Sequence, residues 1–380
     1  MQIAPFGTEH FFARYEFTTP YQLCNSDCET LTVHDLLTLA GVSPDELGEL
    51  SLGYTESLGH PQLRRMIAEM YDQVTSDAVV VLGTPVEGIY LAARAALDAG
   101  DEVIVLSPAY DALLNLFEHI VGAANVRRWE FTATDTQWCL DVERLRKLIT
   151  PRTRMLVVNF PHNPTGYLPS REQLTELAAI ADENNLTLFC DEMYFGLVHS
   201  GTPSIPSVAG LARRTVVLSG LSKTYGLPGL RTGWLVVPDS ELRQSIVNWK
   251  FYTSICPPAP SEFLAMVALT VRDQLRARSV ARIEQNLQLA DAFFHRWPEL
   301  FKWRRPMAGS VALVGMNVPS VTAYASQLAQ EAGVLILPAA TLGTDDRYMR
   351  MGFGRAAFGE ALEQFEAFLS EHPISAAPLT

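Results

Sequence analysis

The chain has 380 residues, 48 % of them hydrophobic, which is enough for a large buried core and more than one domain and argues against intrinsic disorder. No apolar stretch reaches the length of a membrane span. The net charge of −13 disfavours non-specific binding to nucleic acid or to an anionic membrane surface.

Residues 1–48 read as an N-terminal arm with a short helical stretch. The opening Met1-Gln-Ile-Ala-Pro-Phe-Gly-Thr-Glu-His10 lacks a basic region followed by an apolar core, so no secretory signal is expected. The 5 cysteines (Cys24, Cys28, Cys139, Cys190 and Cys256) are odd in number and scattered, the pattern of free thiols in a reducing cytoplasm. Cys24 and Cys28 have no second Cys or His pair at suitable spacing, so no metal site is expected. From about Leu52 to Pro258, short apolar strands alternate with amphipathic helices, two of which are predicted near Glu87–Ala99 and Ser170–Asn184. That alternation implies a mostly parallel sheet covered on both faces. Ile255-Cys-Pro-Pro-Ala-Pro260 breaks regular structure, and a long helix is expected after it. Strands near Ser310–Met316, Gly333–Leu337 and Arg347–Gly352 predict a smaller α+β unit. The expected division is an arm that forms part of the small domain (1–48), a large domain (49–280) and a small C-terminal domain (281–380).

Several segments carry chemistry. Val79-Val-Val-Leu-Gly-Thr84-Pro85-Val86 reads as a strand, a tight loop and a helix start, and a helix N-terminus binds phosphate well. Pro85 has no N–H to donate, and Gly83 leaves the register of this loop open by one residue. Asp101–Ser107 is a buried strand running into Pro108-Ala-Tyr110. Arg154–Phe160 is another, running into the turn Pro161-His-Asn163-Pro-Thr-Gly166. Leu186–Cys190 ends in Asp191-Glu-Met-Tyr194, where the acid is either a functional carboxylate or a helix cap. The run Ser219-Gly-Leu-Ser222-Lys223-Thr-Tyr-Gly-Leu-Pro-Gly-Leu-Arg231 places one lysine between a strand and a Gly/Pro-rich loop. A lysine amine held in a pocket can form a Schiff base with an aldehyde cofactor. Ser222 and Arg231 can hold a phosphate, the arginine by a two-pronged contact. Tyr348-Met-Arg350-Met-Gly-Phe-Gly-Arg355 has strand-like alternation. By themselves these residues point to an α/β enzyme with a reactive lysine and a phosphate-bearing ligand.

In order and spacing, the segments from about Leu52 to Leu369 resemble those of the class I and II aminotransferases, which are fold-type I pyridoxal 5'-phosphate (PLP) enzymes. The resemblance implies a large domain with a seven-stranded-type, mostly parallel sheet sandwiched by helices, plus a smaller α+β domain. It makes Lys223 the catalytic Schiff-base lysine. Asp191 would pair with the pyridinium nitrogen, Asn163 and Tyr194 would bond the ring phenolate, and Tyr110 would stack on the ring. Thr84, Pro85, Val86, Ser222 and Arg231 would surround the phosphate. Arg350, with Arg355 as the alternative, would clamp the substrate carboxylate. The segment Tyr54-Thr-Glu-Ser-Leu-Gly59 matches one whose tyrosine reaches the cofactor phosphate of a neighbouring subunit, so a homodimer is implied and Tyr54 is the candidate. A tyrosine in a helix-capping turn is the alternative there.

The implied reaction is transamination between an L-amino acid and a 2-oxo acid acceptor, with freed Lys223 taking the Cα proton. The arm departs from ordinary aminotransferases in being rich in acids. Glu9, Asp27 or Glu29, with Ser26, would receive a cationic substrate side chain if the arm lies over the pocket. Otherwise Asp27 and Glu29 are turn or cap residues and Glu9 is solvated. The motifs around Asn163 and Lys223 also resemble those of capreomycidine synthase-type cyclases, which cyclise a hydroxylated arginine. A third reading, a regulator that only binds PLP, is disfavoured because 48 residues leave no room for a DNA-binding domain and the charge is unfavourable.

Overall fold

The computed structural model describes residues 3–372. Met1, Gln2 and residues 373–380, the outer ends of the first and last expected domains, lie outside the described residues. The main sheet has β1 (Val79–Leu82), β2 (Glu102–Ser107), β3 (Val126–Glu130), β4 (Thr153–Asn159), β5 (Thr187–Asp191), β6 (Thr215–Gly220) and β7 (Gly233–Val236). Its 7 strands lie in the order β1-β7-β6-β5-β4-β2-β3. Most of these strands are buried along their whole length because both faces are covered. Alternate residues feed two cores: Val80, Val105, Val157 and Phe189 go to one, and Val81, Ile104, Val158 and Leu188 to the other.

The sheet is parallel except for β7, which runs antiparallel to both neighbours. The chain after β6 turns back through the short helical turn Pro228–Leu230 and through Arg231, whose φ is 54°. With no crossover helix in that connection, the chain returns beside β6 in the opposite sense.

Helix α1 (Gly7–Tyr15) lies in the arm, and α2 (Pro85–Ala96) follows β1. Helix α2 starts two residues before the expected Glu87, because Pro85 occupies its first turn behind the extended residue Thr84. Helix α3 (Ala112–Val121) follows β2, and α4 (Arg171–Glu183) opens with a Ser170–Gln173 capping box. The long helix expected after Pro260 is two, α5 (Ala259–Thr270) and α6 (Arg272–Arg296), because Val271 leaves helical geometry at φ −117°.

A second sheet of 4 strands contains β8 (Phe301–Lys302), β9 (Val311–Met316), β10 (Leu337–Pro338) and β11 (Tyr348–Gly352), in the order β8-β9-β11-β10. The strand expected over Gly333–Leu337 is divided. Its first part, Val334–Leu335, pairs with Tyr21–Gln22 of the arm, and its second part pairs with β11. The arm then continues across the end of β11: Gly352 N–H donates to Leu23 O (2.7 Å), and Glu29 N–H to Gly354 O (2.8 Å). Gly352 permits this approach, since a Cβ there would meet the Asn25 carbonyl. Leu23 and Cys28 of the arm therefore share a core with Phe293, Phe301 and Phe353. The carboxyl ends of β1, β2, β4, β5 and β6 all reach one edge of the main sheet, where α/β folds bind ligands, and the arm covers that edge.

Candidate active site

A cavity of about 420 Å³ opens at this edge. The loop after β6 supplies Lys223, whose Nζ donates to Ser26 Oγ of the arm at 2.8 Å. Burial lowers the Lys223 pKa and Arg350 pushes it the same way, while Asp27 and Glu9 oppose. More of this amine is therefore neutral, as a nucleophile or base must be. Asp191 is the last residue of β5, and its Oδ1 accepts from Met193 N–H at 3.0 Å. Burial nevertheless pushes its carboxyl up to about 6. Asn163, Tyr194 and Tyr110 line the same cavity from the ends of β4, β5 and β2.

At the β1 end, Arg231 Nη2 donates to Thr84 Oγ1 at 2.7 Å, in front of the first turn of α2. Ser222 Oγ is buried and has no partner. Of the expected phosphate loop, Thr84 offers a hydroxyl and Val86 lines the cavity. Pro85 is a wall and not a donor: a Cβ at Gly233 would come within 2.8 Å of its ring. Glu87, in the first turn of α2, does not line the cavity and accepts from the Thr253 hydroxyl.

Opposite, Arg350 lies in β11, 1 % exposed. Its Nη2 donates to Cys24 O (3.0 Å) and its Nη1 to Asn163 Oδ1 (3.4 Å), while its Nε is buried without a partner. It therefore keeps a free donor toward a carboxylate. Arg355, the alternative, is bound to Asp27 at 2.8 Å and does not line the cavity.

The arm contributes more than its expected acids. Glu9 and Asp27 line the cavity, and Glu9 Oε1 accepts from the Tyr110 hydroxyl at 3.0 Å. Glu29 does not line it: its Oε2 accepts from Ala356 N–H at 2.6 Å in the turn ahead of the helix Phe358–Glu371, so it is a turn residue. Thr8, Phe12 and Glu16 also line the cavity and were not picked out from the sequence. Their signal was helical spacing, since residues 8, 12 and 16 fall on one face of α1 and its end. Burial raises the Glu16 pKa, and Asp27 and Glu9 raise it further. Tyr54 lies outside this cavity and is 94 % exposed in the single chain. Among the described residues, no group of three or more His, Cys, Asp or Glu is placed to hold a metal, and all five cysteines are free. No described helix is long and apolar enough to cross a membrane.

The family described as aminotransferase class I and II matches residues 22–366. Capreomycidine synthase of Streptomyces vinaceus is 31 % identical over 309 residues, covering 81 % of this chain and 78 % of its own. Among solved structures, a PLP-dependent aminotransferase from Streptococcus suis 89-1591 superposes with a TM-score of 0.91 at 27 % identity, covering 99 % of this chain and 100 % of that one. The PLP-dependent cyclase OrfR superposes with a TM-score of 0.89 at 25 % identity, covering 98 % of each chain.

Proposed function

The chain belongs to the class I and II aminotransferase family and is a PLP-dependent enzyme, and we propose that it is an aminotransferase acting on an L-amino acid with a cationic side chain. The cavity fits the cofactor. The orphaned Ser222 hydroxyl and the Arg231–Thr84 pair before α2 form an anion site, and Lys223 lies within reach of the same space. Ser222, Arg231 and Thr84 would hold the phosphate, Asp191 the pyridine nitrogen, Asn163 and Tyr194 the phenolate, and Tyr110 the ring face. Once bound, PLP supplies an electron sink for bond breaking at the substrate Cα. Arg350 takes the substrate carboxylate through its free Nε. The neutral fraction of Lys223 receives the Cα proton at Nζ, aimed by the hydroxyl of Ser26.

The observation that carries the substrate class is the placing of three carboxylates, Glu9, Glu16 and Asp27, in the cavity that holds Lys223 and Arg350. An ammonium or guanidinium side chain would satisfy them, and a carboxylate side chain would be repelled. The likeness to capreomycidine synthase favours a second reading on the same substrate class. In it, a hydroxylated arginine loses its side-chain hydroxyl as water, and a guanidine nitrogen forms the new C–N bond. Mass spectrometry of products separates the two. The PLP-loaded enzyme is offered arginine, lysine, 4-hydroxyarginine and neutral and acidic amino acids, with and without 2-oxoglutarate. A 2-oxo acid that forms only with acceptor establishes transamination. A product lighter by one water, with no acceptor needed, establishes cyclodehydration. Turnover confined to neutral or acidic amino acids overturns the cationic class.

We also infer a homodimer in which Tyr54 of a second copy reaches the phosphate, and a reducing, cytoplasmic setting in keeping with the free thiols. The division at 48/49 and 280/281 remains our reading of the domains, with α6 spanning the second boundary.

A further inference from the structure

Asn159 ends β4 directly opposite Asp191, the end of β5. Its side chain is buried and both arms of its amide are used. Nδ2 donates to Asp191 O at 2.7 Å, and Oδ1 accepts the backbone N–H of Asn163 at 2.7 Å. The orientation of the amide is fixed by its partners, since a carbonyl only accepts and an N–H only donates. Phe160 N–H adds a second bond to Asp191 O at 3.0 Å. The turn leaving β4 has prolines at 161 and 164, which offer no N–H, and the N–H of Asn163 has only this side chain as partner. On its other side, Asn163 accepts from Arg350 Nη1.

We propose that Asn159 is a positioning residue that ties Asp191 and Asn163 into one rigid unit, fixing two groups on the cofactor ring relative to each other. This rests on the reading that Asp191 and Asn163 hold that ring. No other residue type does the same work in this space. Leucine offers no hydrogen bond, aspartate cannot donate to the Asp191 carbonyl when ionised, and glutamine is one methylene too long. Without the tie, the Asn163 turn is free to drift from the ring edge by the fraction of an ångström that site precision does not tolerate.

The test uses PLP-loaded Asn159→Leu and Asn159→Gln enzymes, with Asn163→Ala as the direct-contact reference. Three quantities are read: the pH midpoint of the visible absorption of the bound cofactor, kcat and KM for a turned-over amino acid, and the melting temperature of the cofactor-free protein. The midpoint is expected to move in the same direction as in Asn163→Ala, by about half a pH unit or more, with kcat falling about tenfold and KM changing less. If Asn159→Leu does not fold, Asn159→Gln, which keeps the polar groups but misplaces them, carries the test. A folded Asn159 variant whose midpoint stays at the parent value, while Asn163→Ala moves it, reduces Asn159 to a structural residue and overturns the proposal. If Asn163→Ala itself leaves the midpoint unmoved, the reading of Asn163 fails and the proposal falls with it.

Discussion

Lys223 and Asp191 are driven toward neutrality by one cause: burial lowers the lysine and raises the aspartate. Glu192, next in the chain, is likewise raised by burial, to about 7, with one carboxylate oxygen unpartnered. Both acids bind protons more tightly in the folded state than in the unfolded one. Their contribution to stability is therefore present below the ordinary carboxylate range and is lost as pH rises through about 6 and about 7. The cofactor-free protein should melt lower at pH 8 than at pH 5, and Glu192→Gln should flatten that fall, as calorimetry at the two pH values would show. Glu16 makes a different prediction. Glu16→Gln removes one of the cavity carboxylates that we propose meet the substrate side chain and should raise KM for a cationic amino acid about tenfold. It should leave KM for a neutral one nearly unchanged, and an equal effect on both would remove Glu16 from substrate recognition. Most of the site was legible residue by residue because each group lies in a short contiguous motif at a strand end. Glu16 was not, because helical spacing puts it on one face with Thr8 and Phe12 but does not say that this face covers the space holding Lys223 and Arg350.

Helix α1 covers the cavity because its start is tied to the loop after β2. Asp111 accepts from Gly7 N–H at 2.7 Å and from the Thr8 hydroxyl at 2.6 Å. Asp111→Ala removes both bonds, and since bonds to a carboxylate are worth roughly 1.5–3 kcal/mol each, it should raise KM for the amino acid about tenfold or more. Titration of initial rates checks this, and an unchanged KM would show that α1 does not need the latch. The rest of the arm rests on β11, where Gly352 leaves no room for a side chain. Gly352→Ala should cost about 1–3 kcal/mol by overpacking and weaken substrate binding as Asn25 and Ser26 move, measurable as a lower melting point with a higher KM. At this scale the buried strands were legible because an unbroken apolar run has one home, a doubly covered sheet. The antiparallel course of β7, the division of the strand near Val334 and the break at Val271 were not. Each depends on which neighbour a segment finds in space, and hydrophobic pattern alone does not name the neighbour.

In the single chain, Tyr54 and Tyr252 are 94 % and 88 % exposed, and Leu52 is 81 % exposed. The proposed dimer would cover this surface. Sedimentation equilibrium should return twice the chain mass, and Tyr54→Phe should weaken PLP binding about tenfold by removing one hydrogen bond to the phosphate. A monomer that retains full PLP affinity would sink both expectations. The sequence by itself determined the fold class and the cofactor, and it singled out Lys223 as the candidate Schiff-base lysine. Strand burial is written in composition, and the chemistry open to a lysine beside candidate phosphate-binding groups is written in short motifs. The tertiary structure alone decided which of the two candidate arginines faces the cavity, that Glu29 holds a turn while Glu16 faces the cavity, and that Asn159 ties the end of one strand to the end of the next. Those outcomes depend on contacts between segments far apart in the chain, where distance, burial and the supply of hydrogen-bond partners act only after the chain has folded.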